Sequence, residues 1–128
     1  MPPTSGDLRW LAGLLEGEGH FGFHNRKAQV SLQMTDRDVV ERAAKIIGQR
    51  VNGPYYDTRA PRRKPYWATS CVAGKAAGLM MTLYRDLGER RRESIRAALR
   101  AWREVPARPH TRDRDRTGSG RQRTRHAA

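Results

Sequence analysis

Cysteine is nearly missing from this chain: Cys71 stands alone among 128 residues. No disulfide can close within one copy, and a zinc site built on cysteines is excluded. Acidic residues are scarce as well, 13 against 26 lysines and arginines, which gives a net charge of +13 and a pI near 11.3. That imbalance points to a polyanionic partner, with nucleic acid the first candidate and an acidic membrane surface the second. No stretch approaches the roughly 18 to 20 apolar residues needed to cross a bilayer. The opening MPPTSGDLRW also lacks a basic segment followed by an apolar one, so an unexported, soluble protein is expected.

The length suits one domain with a modest core and is too short for two of ordinary size. Composition changes near Pro106. From Ala107 onward there is no aliphatic residue larger than Ala, and seven arginines outweigh two aspartates. Residues 106–128 therefore read as a basic disordered tail. Residues 1–105 form the expected folded domain, which is basic in its own right.

Thr4 and Asp7 resemble a capping box, and Leu8, Leu11, Leu14 and Leu15 follow at helical spacing, placing a first helix at about 7–17. HFGFHNRKAQVSLQM then alternates. Phe21, Phe23, Val30, Leu32 and Met34 form an apolar face, while His20, His24, Arg26, Gln29, Ser31 and Gln33 form a polar one. The two strands turn over at Asn25 to Lys27. Thr35 and Asp38 suggest a second capping box opening a helix with Val39, Ala43, Ile46 and Ile47 along one side and Gly48 as its C-terminal cap. Two runs of β-branched and aromatic residues separated by RAPRRKP predict a second hairpin with a basic loop. Helical spacing returns near Ala73 through Ala76, Met80, Leu83 and Leu87, stops at Gly88, and resumes with Ile95, Ala98, Leu99 and Trp102. The order αββαββαα predicts an α+β domain, with helices on one face of four strands and the other face left for water or a ligand.

That polar face is rich in bidentate donors and acceptors, and the adjoining loop supplies Arg59, Arg62, Arg63 and Lys64. Such side chains read base edges, and two-stranded ribbons fit a major groove. His20 and His24 lie about 13 Å apart along a strand, too far to chelate one ion. Tyr55, Tyr56 and Trp67 are candidates for stacking on bases, although strands this aromatic more often pack a core. In ERRRES, Arg91 and Arg92 read as a solvated run, with one guanidinium able to point into a site from a helix that restarts after Gly88. The stretch LAGLLEGEG (11–19) breaks the local rules most. Gly13 and Gly17 share one side of the helix and allow two helix backbones to approach closely. Two copies meeting there about a twofold axis would each bring Glu18 to that axis, where paired carboxylates call for a hard divalent cation such as Mg²⁺.

LAGLLEGEG resembles the nine-residue motif of the LAGLIDADG homing endonuclease family, with conservative changes at positions five to eight. LYRDLGERRRESI is similar to that family's segment before the final helix. The resemblance covers about residues 7–104 and implies an αββαββα(α) homing-endonuclease-like fold, with helices on one face of a four-stranded antiparallel saddle sheet. A single motif implies a homodimer on a pseudo-palindromic site, with Leu11, Gly13, Leu14 and Gly17 at the interface. By position, Glu18 corresponds to the metal-binding acid, with Gly17 beside it in the metal site, and Glu16 to the earlier acid of the motif. Asp36 aligns with a residue that organises water and Arg90 with a basic residue near the scissile phosphate. His20, His24, Arg26, Lys27, Gln29, Ser31 and Gln33 fall on the DNA-contacting hairpin, with Tyr66, Ala68 and Ser70 on the same face of the second. Glu for Asp at both acids lengthens the reach to metal, and Arg for Lys at position 90 keeps charge but not shape.

The function so implied is metal-dependent double-strand DNA cleavage with Mg²⁺ or Mn²⁺, by a cytoplasmic protein that associates with the nucleoid when bound to DNA and has no membrane partner. Two other readings use the same basic charge. One is a catalytically silent DNA-binding regulator or RNA-binding splicing helper; the other is a membrane-surface protein using ERRRESIRAALRAWREV as an amphipathic helix.

Overall fold

The computed structural model describes residues 1–106; beyond Pro106, the expected tail lies outside the described residues. Helix α1 spans Ser5–Glu18. The Thr4 hydroxyl accepts from the Asp7 N–H at 3.0 Å, and the Asp7 carboxylate accepts from the Thr4 N–H at 3.0 Å. This is the reciprocal box expected from the two residues. The backbone N–H of Thr4 holds the Asp7 carboxyl below the usual carboxylate range.

Strand β1 (Gly19–His24) continues from α1 without a loop, and β2 (Lys27–Met34) returns beside it. His24 pairs with Lys27, so the turn is only Asn25 and Arg26, with φ of 52° and 65°. Two consecutive left-handed residues match the twist of a tight hairpin. Arg26 thus lies in the turn expected at Asn25 to Lys27, whereas Lys27 already belongs to β2.

Helix α2 (Arg37–Ile47) opens differently from expectation. Asp36, not Thr35, is the N-cap residue and its side chain makes no cap bond, so Thr35 lies one position too early for a box with Asp38. The buried side is Val40, Ala43, Ala44 and Ile47, with Val39 and Ile46 half-buried beside it. Gly48 ends the helix as predicted, at φ 83°, a conformation that glycine adopts without a Cβ penalty.

Strands β3 (Asn52–Tyr55) and β4 (Tyr66–Val72) enclose the basic loop. Helix α3 spans Ala73–Leu83, and a 3₁₀ turn at Tyr84–Asp86 leads to α4 (Glu89–Arg103). The helical spacing predicted through Leu87 thus ends at Leu83. Leu87 is extended, yet still buried. Arg92, expected in solvent, holds this turn by donating to the carbonyls of Tyr84 at 3.0 Å and Arg85 at 2.8 Å.

The sheet order is β1-β2-β4-β3 with every neighbouring pair antiparallel, an open four-stranded sheet in an α+β domain. One face is closed by the helices: Phe21, Ala28, Val30, Leu32 and Cys71 join Leu11, Leu15, Val40, Met80, Leu83 and Ile95 in a single core. Each large aliphatic so buried contributes roughly 1.5–3 kcal/mol of transfer free energy. Thr69 is the buried polar residue here, and its hydroxyl donates to the Arg50 carbonyl at 3.0 Å. Burial pushes the Cys71 thiol up.

Candidate nucleic-acid interface

With its inner face closed, the sheet turns its other face outward, and strand register fixes what that face carries. His20 lies opposite Ser31, which lies opposite Ser70. Gly22, Gln29 and Val72 form the next row, His24 and Lys27 the last before the turn. In the other direction Gln33 pairs with Ala68, and Ala68 with Asn52. Tyr66, Ala68 and Ser70 therefore share a face with Gln29, Ser31 and Gln33, as the alternation requires. The glycine at 22 makes room for its neighbour: a methyl group there would lie 2.7 Å from Nε2 of His20. The imidazole thus lies along β1 over Gly22. Phe23, assigned to the apolar face, is 41% exposed at the strand end.

At the end of the sheet away from the first hairpin turn, Tyr55 and Tyr66 pack with ring centroids 5.4 Å apart. Trp67 points the other way, packs against the core and carries Arg37 over its ring at 5.7 Å. Tyr56 is 68% exposed. The loop that follows is ordered by Asp57. Its carboxylate accepts from the Arg59 N–H at 3.0 Å, its carbonyl accepts from Ala60 at 3.0 Å, and its Oδ2 lies 3.9 Å from an Arg63 nitrogen. Arg59, Arg62, Arg63 and Lys64 are all exposed. Positive charge with little acidic compensation at the edge of a polar, amide-bearing sheet suits a phosphate backbone running past base-reading side chains.

The two acids of LAGLLEGEG have different surroundings. The Glu16 carboxylate accepts the Gly88 N–H at 2.7 Å, so it caps the start of α4 from 72 residues away. In return Nε of Arg91, in the first turn of α4, donates to the Glu16 carbonyl at 2.9 Å. A carboxylate meets the positive end of one helix and a guanidinium the negative end of the other, both favourable with the helix dipoles. Arg91 is the guanidinium that points from the restarted helix, and it is not solvated as the charge run suggested. Glu18 instead is exposed and, among the described residues, makes no hydrogen bond or ion pair. Asp36 is exposed at the N-cap of α2 and Arg90 is exposed in the first turn of α4. Among the described residues no hydrogen bond joins any two of Glu18, Asp36 and Arg90.

Helix α1 also presents two sides. Leu8, Leu11 and Leu15 point to the core, whereas Gly13 and Gly17 face the opposite way, exposed, with no atom within 4 Å of a Cβ built on either. Leu14 is half-buried between them. Leu11, expected at an interface between copies, is 0% exposed within the single chain. Its side chain fills the core and has no outward surface. Gly19, where helix passes into strand, is the tight position: a Cβ there would stand 2.6 Å from Cδ2 and 2.9 Å from Cα of Leu15.

No protein-family model, curated protein or solved structure matches this chain. Among the described residues no helix is long and apolar enough to cross a membrane.

Proposed function

We propose that the chain is a homodimeric, metal-dependent double-strand DNA endonuclease of the LAGLIDADG type, binding DNA through the open sheet face. The observation that supports it most is the outward side of α1. Two exposed glycines inside a helix cost up to about 1 kcal/mol each relative to alanine. Close approach of a second helix backbone offsets such a cost, and it is the arrangement that gathers one Glu18 from each copy.

The donor chemistry fits a shared cation. Glu16 is engaged by Gly88, which leaves Glu18 as the carboxylate free to act as a hard oxygen ligand from this helix. One such donor per chain suits a site completed by a second copy. A bound divalent cation supplies Lewis acidity toward water and a phosphate oxygen. The protein's own part is positional and electrostatic. Gln29, Gln33 and Ser31 meet base edges, the 59–64 loop holds phosphates, and Arg90 offsets charge developing on the phosphate.

The test is a library of randomised duplexes incubated with Mg²⁺ and sequenced for double-strand breaks. The wild type cuts a recurrent site, and Glu18→Gln binds that site without cutting it. Site-specific binding with no metal-dependent cutting by the wild type would instead favour the silent DNA-binding regulator.

A further inference from the structure

The space beneath the basic loop has chemistry that phosphate contacts alone do not use. A cavity of about 610 Å³ opens there, walled by Gln33 near the end of β2 and Thr35 just beyond it, by Tyr66 from β4, and by Tyr56, Asp57 and Arg63 from the loop. Its volume lies within the roughly 300–1,000 Å³ range of pockets that enclose a small ligand. Two tyrosines line it: Tyr66 is backed by Tyr55, while Tyr56 is two-thirds exposed. An exposed aromatic beside arginine and lysine is the combination that holds an unpaired base by stacking and its phosphate by charge. The cavity also lies at the end of the sheet to which α1 brings Glu18, because Gln33 follows Leu32, the register partner of Gly19.

We propose that this cavity receives one nucleotide turned out of a DNA duplex, its base against the rings of Tyr56 and Tyr66 and its phosphates against Arg63 and Lys64. The proposal rests on the reading of the sheet as a DNA-binding face and names what one end of that face holds. Asp57 adds a preference. As an acceptor on the cavity wall it pairs with an exocyclic amino group, which cytosine and adenine carry and thymine lacks. Arg63 sits beside that carboxylate, which limits its repulsion of a phosphate. Turning a base out of the stack is least costly where the base is unpaired, so an unpaired nucleotide is the sensitive probe.

The experiment measures binding of the full chain to three labelled duplexes by fluorescence anisotropy at one salt concentration: fully paired, with a single bulged cytosine, and with an abasic bulge at the same place. The bulged cytosine should bind about tenfold tighter than the paired duplex, a gain typical of stacking one base on aromatic side chains. The abasic bulge should lose that gain. Tyr56→Ala should lose it too while keeping paired-duplex affinity within about twofold, and Tyr56→Trp should restore it. Equal binding of the cytosine and abasic bulges would overturn the proposal, since bendability alone would then account for any preference. Paired-duplex binding without a bulge preference, or a preference indifferent to Tyr56→Ala, overturns it and leaves the DNA-binding reading standing; no binding to any duplex overturns both.

Discussion

Replacing Glu16 with alanine should destabilise the fold, whereas the same change at Glu18, two residues on, should not. The Glu16 carboxylate accepts the N–H of Gly88, the N-cap residue of α4, at 2.7 Å and is half-buried. Hydrogen bonds to charged groups are worth about 1.5–3 kcal/mol, and loss of a capping side chain typically costs about 1 kcal/mol. Alanine returns a few tenths of a kcal/mol through its helix propensity. The net expectation is a loss of about 1 kcal/mol, or roughly 4–8 °C in Tm for a domain of this size. Glu16→Gln keeps the acceptor and removes the charge, so it should fall between. Glu18 has no such partner and sits at the negative end of α1, where removing an acid is neutral or stabilising by about 0.3–1 kcal/mol. Urea unfolding followed by circular dichroism, with m unchanged, reads the difference as a shift in midpoint. If the two alanine variants unfold at the same urea concentration, the link between α1 and α4 is not the stabilising contact its geometry implies.

Gly19→Ala should cost about 1–3 kcal/mol, because its new Cβ meets the backbone and side chain of Leu15 at 2.6–2.9 Å. Gly17→Ala, with open space around it, should raise the thermal stability of the isolated chain by up to about 1 kcal/mol; scanning calorimetry on dilute samples separates the two. Acid should weaken the fold through Asp7 and Glu89. The Thr4 N–H holds Asp7 below the ordinary carboxylate range, and the Arg96 side chain does the same for Glu89. Their stabilisation is therefore fully present above the unfolded pKa values near 4, and is lost as pH falls through the lower folded values. Urea midpoints measured from pH 7 to pH 3 should drop less steeply in Asp7→Asn than in wild type.

Local patterns were enough for the elements whose cause is local. The Thr4 and Asp7 box, the alternation from His20 to Met34 and the glycine at 48 each act within a few residues, and each appears where the pattern puts it. Structure and local pattern part where one residue of register matters or where the partner is distant. Asp36 displaced Thr35 as N-cap, and the buried side of α2 runs through Val40 rather than Val39. The Glu16 contact with Gly88 joins residues 72 positions apart, and the role of Arg91 depends on it, so neither follows from spacing. The one hint was Gly88 itself, which restarts a helix directly before a run of arginines. Leu11 satisfied a motif and a core position at once, and packing decided between them. The open sheet face was legible from alternation, but the cavity beside it was not, because it depends on where the 56–65 loop lies over β2 and β4.

The proposed endonuclease depends on two copies of α1 meeting along Gly13 and Gly17. Sedimentation equilibrium of the wild type and of Gly13→Leu, each with and without duplex DNA, distinguishes such a dimer from a single copy. The wild type should show a protein mass of twice 14.6 kDa, alone or on DNA, and Gly13→Leu should stay folded but sediment as one copy. A wild type that remains at 14.6 kDa even on DNA, or a dimer indifferent to leucine at position 13, would contradict that pairing of helices.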